Sequence, residues 1–159
     1  MIHKKTQPVP TSLPAQAYQL DGQLCFALYS ANLAMNKVYR KQLAALSLTY
    51  PQYLVMLVLW ERDGLTVSEL GERLYLDSAT LTPLLKRLQQ SGLVSRTRSA
   101  EAEDERQVLI RLTEEGNVLQ QKARAILESM RCTTQCDDTT LKAMKQQLEY
   151  LCARLIENL

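Results

Sequence analysis

The chain has 159 residues, enough to bury a core as one domain without disulfide staples. With 46% apolar and 23% charged residues, few Gly and Pro and a single Phe, it reads as a helix-rich soluble chain, and no apolar run reaches the length of a membrane span. A net charge of +2 excludes an argument for nucleic acid from bulk charge, and Met1-Ile2-His3-Lys4-Lys5 lacks the apolar stretch of a secretory signal, so the cytoplasm is the expected compartment, where the four cysteines rest as thiols.

Residues 1–16 carry Pro8, Pro10 and Pro14 and are expected to form a flexible arm ahead of a single domain, 17–159. Leu20, Leu24, Ala27, Leu28, Ala31 and Met35 recur at helical spacing and predict a long first helix that starts at Leu20 and fades near Ser47. Thr49-Tyr50-Pro51-Gln52 is a helix start with an N-cap, an early Pro and a Gln three residues on. The run YLVMLVLW over 53–60 is apolar on every side; the cap favours an all-round buried helix over the rival strand. Gly64 turns the chain, and Thr66-Val67-Ser68-Glu69 is a second capping box opening a short helix to Leu74.

Asp77 is placed to cap a third helix over 78–90, with Leu81, Leu84, Leu85 and Leu88 as its apolar stripe and Ser91-Gly92 as its stop. Residues 93–98 and 107–112 read as two strands around a polar hairpin loop over 99–105. Thr113 caps a helix expected to run to about Met130, 132–140 reads as a polar break, and Leu141, Met144, Leu148, Leu151 and Leu155 mark a last amphipathic helix. The expected fold is mainly α, about six helices plus a β-hairpin.

Short helix, tight turn, capped helix and hairpin in that order is what a winged helix-turn-helix requires. The predicted second helix turns outward Ser78, Thr80, Thr82, Lys86 and Arg87, residue types suited to phosphates and base edges. Arg96 and Arg98 lie on the following strand, and Arg106 near the hairpin tip could enter a minor groove. Because basic and acidic residues balance over 66–112, any hold on DNA must come from where charge is placed. The plainer alternative is a packed helix pair with a hairpin and no ligand.

The run Asp77-Ser78-Ala79-Thr80-Leu81-Thr82-Pro83-Leu84-Leu85-Lys86-Arg87-Leu88, then Gly92-Leu93-Val94, then Asp104-Glu105-Arg106 with Leu112-Thr113, closely resembles the MarR family of transcription regulators. The resemblance extends over most of the chain from Leu20. It implies a winged-helix repressor of palindromic duplex DNA, a homodimer through its N- and C-terminal helices (17–48 and 114–159) with a DNA-binding lobe over 49–113, in which Asp104 orients Arg106. The inserted Ala100-Glu101-Ala102-Glu103 lengthens the wing beyond the family pattern.

Cys25, with Tyr29, Tyr39 and Tyr50 at matching intervals, resembles the subgroup that senses organic hydroperoxides (the OhrR type, two-cysteine form). That resemblance implies a redox-active Cys25 whose thiolate the three phenols hydrogen-bond. A phenol donating to a thiolate stabilises the anion; the thiolate attacks the peroxide and becomes a sulfenate. On a continuous helix Cys25 and Tyr39 would stand roughly 21 Å apart, so any contact between them has to cross a dimer interface. The resemblance further implies a disulfide from Cys25 of one subunit to Cys132 of the other. Cys136 is the alternative resolving thiol, and Cys152 is expected to pack.

Several other readings compete. A lone Cys is often just a small buried hydrophobe, and Cys25 would then pack while a small phenolic or apolar ligand controls the regulator. Cys132-x-x-x-Cys136 fits no common zinc site in a chain whose one His is His3, so no metal and no cofactor are expected. A thiol peroxidase would need repeated reduction; without a CxxC motif, the expectation is a regulator and not an enzyme.

Overall fold

The computed structural model describes residues 18–98 and 108–159, so Asp104 and Arg106, and the arm up to residue 16, lie outside the described residues. The chain divides into two units, Met1–Val38 and Tyr39–Leu159. No single helix among the described residues is long and apolar enough to cross a membrane.

Among the described residues six α-helices and a three-stranded sheet follow one another as α1 (Leu24–Leu43), α2 (Tyr50–Glu61), β1 (Leu65–Thr66), α3 (Val67–Leu74), α4 (Ser78–Gln90), β2 (Val94–Arg98), β3 (Val108–Leu112), α5 (Glu114–Thr134) and α6 (Asp138–Ile156). The first helix does not start at Leu20. A 3-10 turn, Leu20–Gly22, comes first, and Gln23 is extended (φ −92°, ψ 124°) before α1 opens. Asp21-Gly22 is a poor helical pair, since Asp competes for local backbone and Gly carries the largest backbone entropy. α1 is then unbroken to Leu43 and tightens into a 3-10 turn, Ala44–Leu46, that ends on left-handed Ser47.

In the first unit the described part of α1 leaves Leu24, Tyr29, Leu33 and Met35 exposed. The second unit holds the core. α2 is the helix predicted there: Thr49 accepts from Gln52 N–H while the Gln52 side chain receives Thr49 N–H at 2.8 Å, a complete capping box. Tyr53, Val55, Met56, Val58 and Leu59 of this helix are buried, packed with Leu43, Leu70, Leu81, Leu85, Leu88, Ile110, Ala123 and Ile126. Burial explains most of the apolar run, but not burial all round: Leu54, Leu57 and Trp60 along one side are only half-buried.

The sheet runs in the order β1-β3-β2, antiparallel throughout. The hairpin was expected; β1 was not. Its two residues pair Leu65 with Ile110 and Thr66 with Leu109, and so short a strand shows no alternation to read. α5 also runs past Met130 to Thr134, and α6 begins at Asp138, so the predicted polar break over 132–140 shrinks to a tight reversal. Thr133 and Thr134 stay helical because their hydroxyls donate back to the carbonyls of Ser129 and Arg131, both at 2.8 Å. Left-handed Gln135 then ends α5, and Asp137 caps α6 by accepting from Thr140 N–H at 2.7 Å.

Candidate nucleic-acid interface and thiol site

The helix pair α3 and α4 is built from the caps up. Thr66 accepts from Glu69 N–H, and the Glu69 carboxylate receives Thr66 N–H at 2.8 Å and the Thr66 hydroxyl at 2.9 Å; these two donors hold the Glu69 carboxyl below the usual carboxylate range. α3 stops where Tyr75 takes a left-handed conformation and Leu76 N–H returns to Gly71 O at 2.9 Å. A Cβ on Gly71 would stand 2.6 Å from Leu76 O, so only glycine admits so tight a turn. Asp77 Oδ1 then accepts from Thr80 N–H at 2.6 Å, and the Thr80 backbone and side chain depress the Asp77 pKa. A carboxylate that stays ionised at a helix N-terminus also opposes the positive end of the helix dipole favourably.

Leu81, Leu85 and Leu88 seat α4 in the core, which turns Ser78, Thr80, Thr82, Lys86 and Arg87 to the surface, as the periodicity predicts. Not all of them present free donors. Thr80 is engaged with Asp77, and Thr82 Oγ1 donates to Ser78 O at 2.7 Å, so Thr82 offers lone pairs outward. Among the described residues neither Lys86 nor Arg87 enters an ion pair. Arg96 is half-buried and stands opposite Ile110, on the face of β2 that Val94 shares; Arg98 ends the strand, opposite Val108. Asp63 anchors the end of the central strand β3 by accepting Leu112 N–H at 2.8 Å, a tie between residues too far apart in the chain for any local pattern to signal.

All four cysteines are free. Cys25 is exposed at the start of α1, and Tyr29 one turn on stacks against Phe26 at 6.5 Å. In the second unit Tyr39 and Tyr50 are brought face to face with ring centroids 4.3 Å apart, and Tyr53 joins them at 5.8 Å from Tyr39. Sequence reasoning treats Tyr53 only as part of an apolar run. It is fully buried, and its Oη has no hydrogen-bond partner among the described residues. Cys132 is exposed on the last turn of α5, Cys136 half-buried in the reversal that follows, and Cys152 half-buried on α6.

Burial, and then the neighbouring phenols Tyr50 and Tyr53, push Tyr39 up to about 12; burial also raises Tyr50 and Tyr53. The three phenols therefore keep their protons, and can donate hydrogen bonds, across the whole physiological range. Folding raises the Tyr39 pKa, so its contribution to stability is whole below the ordinary value of 10.0 and is lost as pH climbs through about 12. Alkaline absorbance titration should resolve a late-ionising class of tyrosines, and Tyr39→Phe should delete its last member. A single class at the ordinary phenol value would contradict this packing.

A family model described as "Transcriptional regulator SarA/Rot" matches residues 37–123. The chain is 49% identical over 133 residues to the organic hydroperoxide resistance transcriptional regulator of Bacillus subtilis (strain 168), covering 84% of this chain and 89% of that one. Reduced AbfR bound to DNA is similar at TM-score 0.67 and 41% identity, over 87% of this chain and 96% of that chain. Disulfide-formed AbfR is similar at TM-score 0.59 and 39% identity, over 84% and 92%; AbfR is a protein of Staphylococcus epidermidis. A MarR-family regulator from Rhodococcus sp. RHA1 is similar at TM-score 0.74 and 25% identity, over 84% and 95%.

Fold and relatives together define a winged-helix regulator of transcription, a DNA-binding protein and not an enzyme. The chain belongs to the MarR family, on the branch of the organic hydroperoxide resistance regulators.

Proposed function

We propose that the chain is one protomer of a homodimeric cytoplasmic repressor that releases its operator when an organic hydroperoxide oxidises Cys25. The observation that carries the redox half is the stacked Tyr39–Tyr50 pair, whose phenols stay protonated and can therefore donate to a thiolate. Along a continuous helix the 14 residues from Cys25 to Tyr39 would amount to roughly 21 Å, so a contact between the two has to come from the partner. Tyr39 and Tyr50 would serve the partner's Cys25, and Tyr29 would complete the donor set. The thiolate attacks one peroxide oxygen, the O–O bond breaks, an alcohol leaves, and Cys25 becomes a sulfenate. Condensation with Cys132 of the other subunit then forms a disulfide and releases water. AbfR has been solved with a disulfide formed, which supports a disulfide as an oxidised product here by analogy.

The dimer would use residues 17–48 and 114–159. Met144, Leu148 and Leu155 are exposed along one face of α6, and Leu24 and Met35 are exposed on α1; exposed apolar faces of this kind mark association surfaces and favour that reading. The lobe over 49–113 would put Ser78, Thr80, Thr82, Lys86 and Arg87 into the major groove, Arg96 and Arg98 along the backbone, and Arg106, oriented by Asp104, into the minor groove. Half-sites would lie about one helical turn apart.

Electrophoretic mobility of an operator duplex, titrated with cumene hydroperoxide, tests the proposal. Wild type should release the duplex and rebind after reduction, while Cys25→Ser stays bound. Equal release of both proteins would reduce Cys25 to a packing residue. It would favour a second reading, a small apolar or phenolic ligand, for which the cleft of about 280 Å³ between Tyr53, Leu57, Trp60, Ala123 and Leu127 is the site to probe.

A further inference from the structure

Two thiols share one cleft at the α5–α6 reversal. Cys132 and Cys136, with Arg131, Gln135 and Asp138, line an open depression of about 600 Å³. Four positions apart on an uninterrupted helix, two cysteines would be held by the helix geometry. Here the helix ends between them: Gln135 sits at φ 52° and its N–H closes on Cys132 O at 3.3 Å. Past that break Cys136 turns back on α5, its Sγ donating to Thr134 O at 3.3 Å, a weak hold that a rotamer change releases. Of the carboxylates lining the cleft, Asp138 pairs with the Arg131 guanidinium and Asp137 caps α6, while Glu128 lines it from α5. Among the described residues the hydrogen bond recorded for the Cys136 sulfur goes to Thr134 O and to none of these carboxylates.

We propose that Cys136 is a second resolving thiol that takes the disulfide over from Cys25. The proposal rests on the reading above, in which Cys132 first condenses with the Cys25 sulfenate. The Cys136 thiolate then attacks Cys132 Sγ, the Cys132–Cys25 bond breaks, and Cys25 leaves as a thiolate that takes up a proton. One hydroperoxide and the two thiol hydrogens of Cys132 and Cys136 thus give an intrachain disulfide, an alcohol and water, with Cys25 restored. Thiol–disulfide exchange needs only an attacking thiolate with access to a disulfide sulfur, and a tether of a few residues holds Cys136 at an effective concentration on the order of millimolar or above. The bond between subunits becomes a bond within one turn. Oxidation is stored at the end of α5 while Cys25 is free to meet a second peroxide.

The test uses the full-length reduced protein, treated with cumene hydroperoxide, quenched at intervals with a thiol-alkylating reagent, and followed by non-reducing electrophoresis and peptide mass. Wild type should show a cross-linked dimer that rises and then decays to monomer. The tryptic peptide 132–142 should become lighter by two hydrogens, and Cys25 should be recovered alkylated. In Cys136→Ser and Cys136→Ala the cross-link should accumulate and persist, joined through Cys25 and Cys132. A wild-type cross-link as persistent as that of the variants, with no 132–136 linkage, overturns the relay and leaves the intersubunit disulfide standing. If no protein ever forms the Cys25–Cys132 cross-link, the relay falls together with the reading it rests on.

Discussion

Gly116→Ala should lower the thermal midpoint by roughly 6–12 °C, the equivalent of about 3 kcal/mol in a chain of this length. Gly116 occupies the first turn of α5, where alanine would ordinarily help the helix by up to about 1 kcal/mol. Packing reverses the sign. A Cβ there would stand 2.2 Å from Leu93 O, a backbone atom at the entrance to β2, and 3.3 Å from the Leu112 side chain. The same few residues are pinned by three hydrogen bonds. Thr113 N–H donates to Leu93 O at 3.1 Å, Thr113 Oγ1 donates to Gly92 O at 2.6 Å, and Gly116 O accepts from Trp60 Nε1 at 2.9 Å. Relieving the clash means moving the start of α5 off the sheet and off α2. Trp60, the one tryptophan, reports the event by fluorescence. Gly22→Ala is the control: nothing lies within 4 Å of its Cβ, and its effect should stay within about 0.5 kcal/mol. An unchanged midpoint for Gly116→Ala would mean that α5 and β2 can separate at little cost.

The double change Lys86→Ala with Arg87→Ala should weaken binding to an operator duplex by roughly 30-fold near physiological salt and make the salt dependence shallower by about two units. Both side chains are exposed on α4, on the side away from Leu81, Leu85 and Leu88, and neither is spent in an ion pair among the described residues. A phosphate that no longer meets a protein cation keeps about one condensed counter-ion, and the number of such ions sets the slope. Stability should change little, since the buried stripe of α4 is untouched; Arg87 in the last helical turn contributes about a few tenths of a kcal/mol through the dipole. Arg106→Ala should cost about one unit of slope by the same logic. A double variant with the wild-type slope would take α4 out of the interface.

Local chemistry made most of the secondary structure legible. Each of the capping signals at Thr49, Thr66 and Asp77 acts within four residues, through a side chain and a backbone N–H, and the structure builds all three as read. The stripe of α4 and the all-apolar run of α2 follow from period and burial in the same way. Readings failed where a distant partner or a compensating bond decides. Asp21-Gly22 broke the first helix ahead of Leu24. Thr133 and Thr134 stayed helical by bonding back to the preceding turn, which polarity alone disguises. β1 exists only because β3 lies beside it.

Residue types and their helical spacing are carried by the chain alone: an exposed polar face on α4, phenols at fixed intervals after Cys25, and the family these define. Only the tertiary structure decided that Tyr50 lies flat on Tyr39, that Tyr53 is buried with its hydroxyl unpaired among the described residues, and that Arg96 is half-buried opposite Ile110. Tertiary structure also placed Cys132 and Cys136 in one cleft across the end of a helix. The reason is range. Caps and amphipathic stripes are set by neighbours along the chain, whereas desolvation of a phenol and the stacking of Tyr39 on Tyr50 depend on how separate segments pack in space.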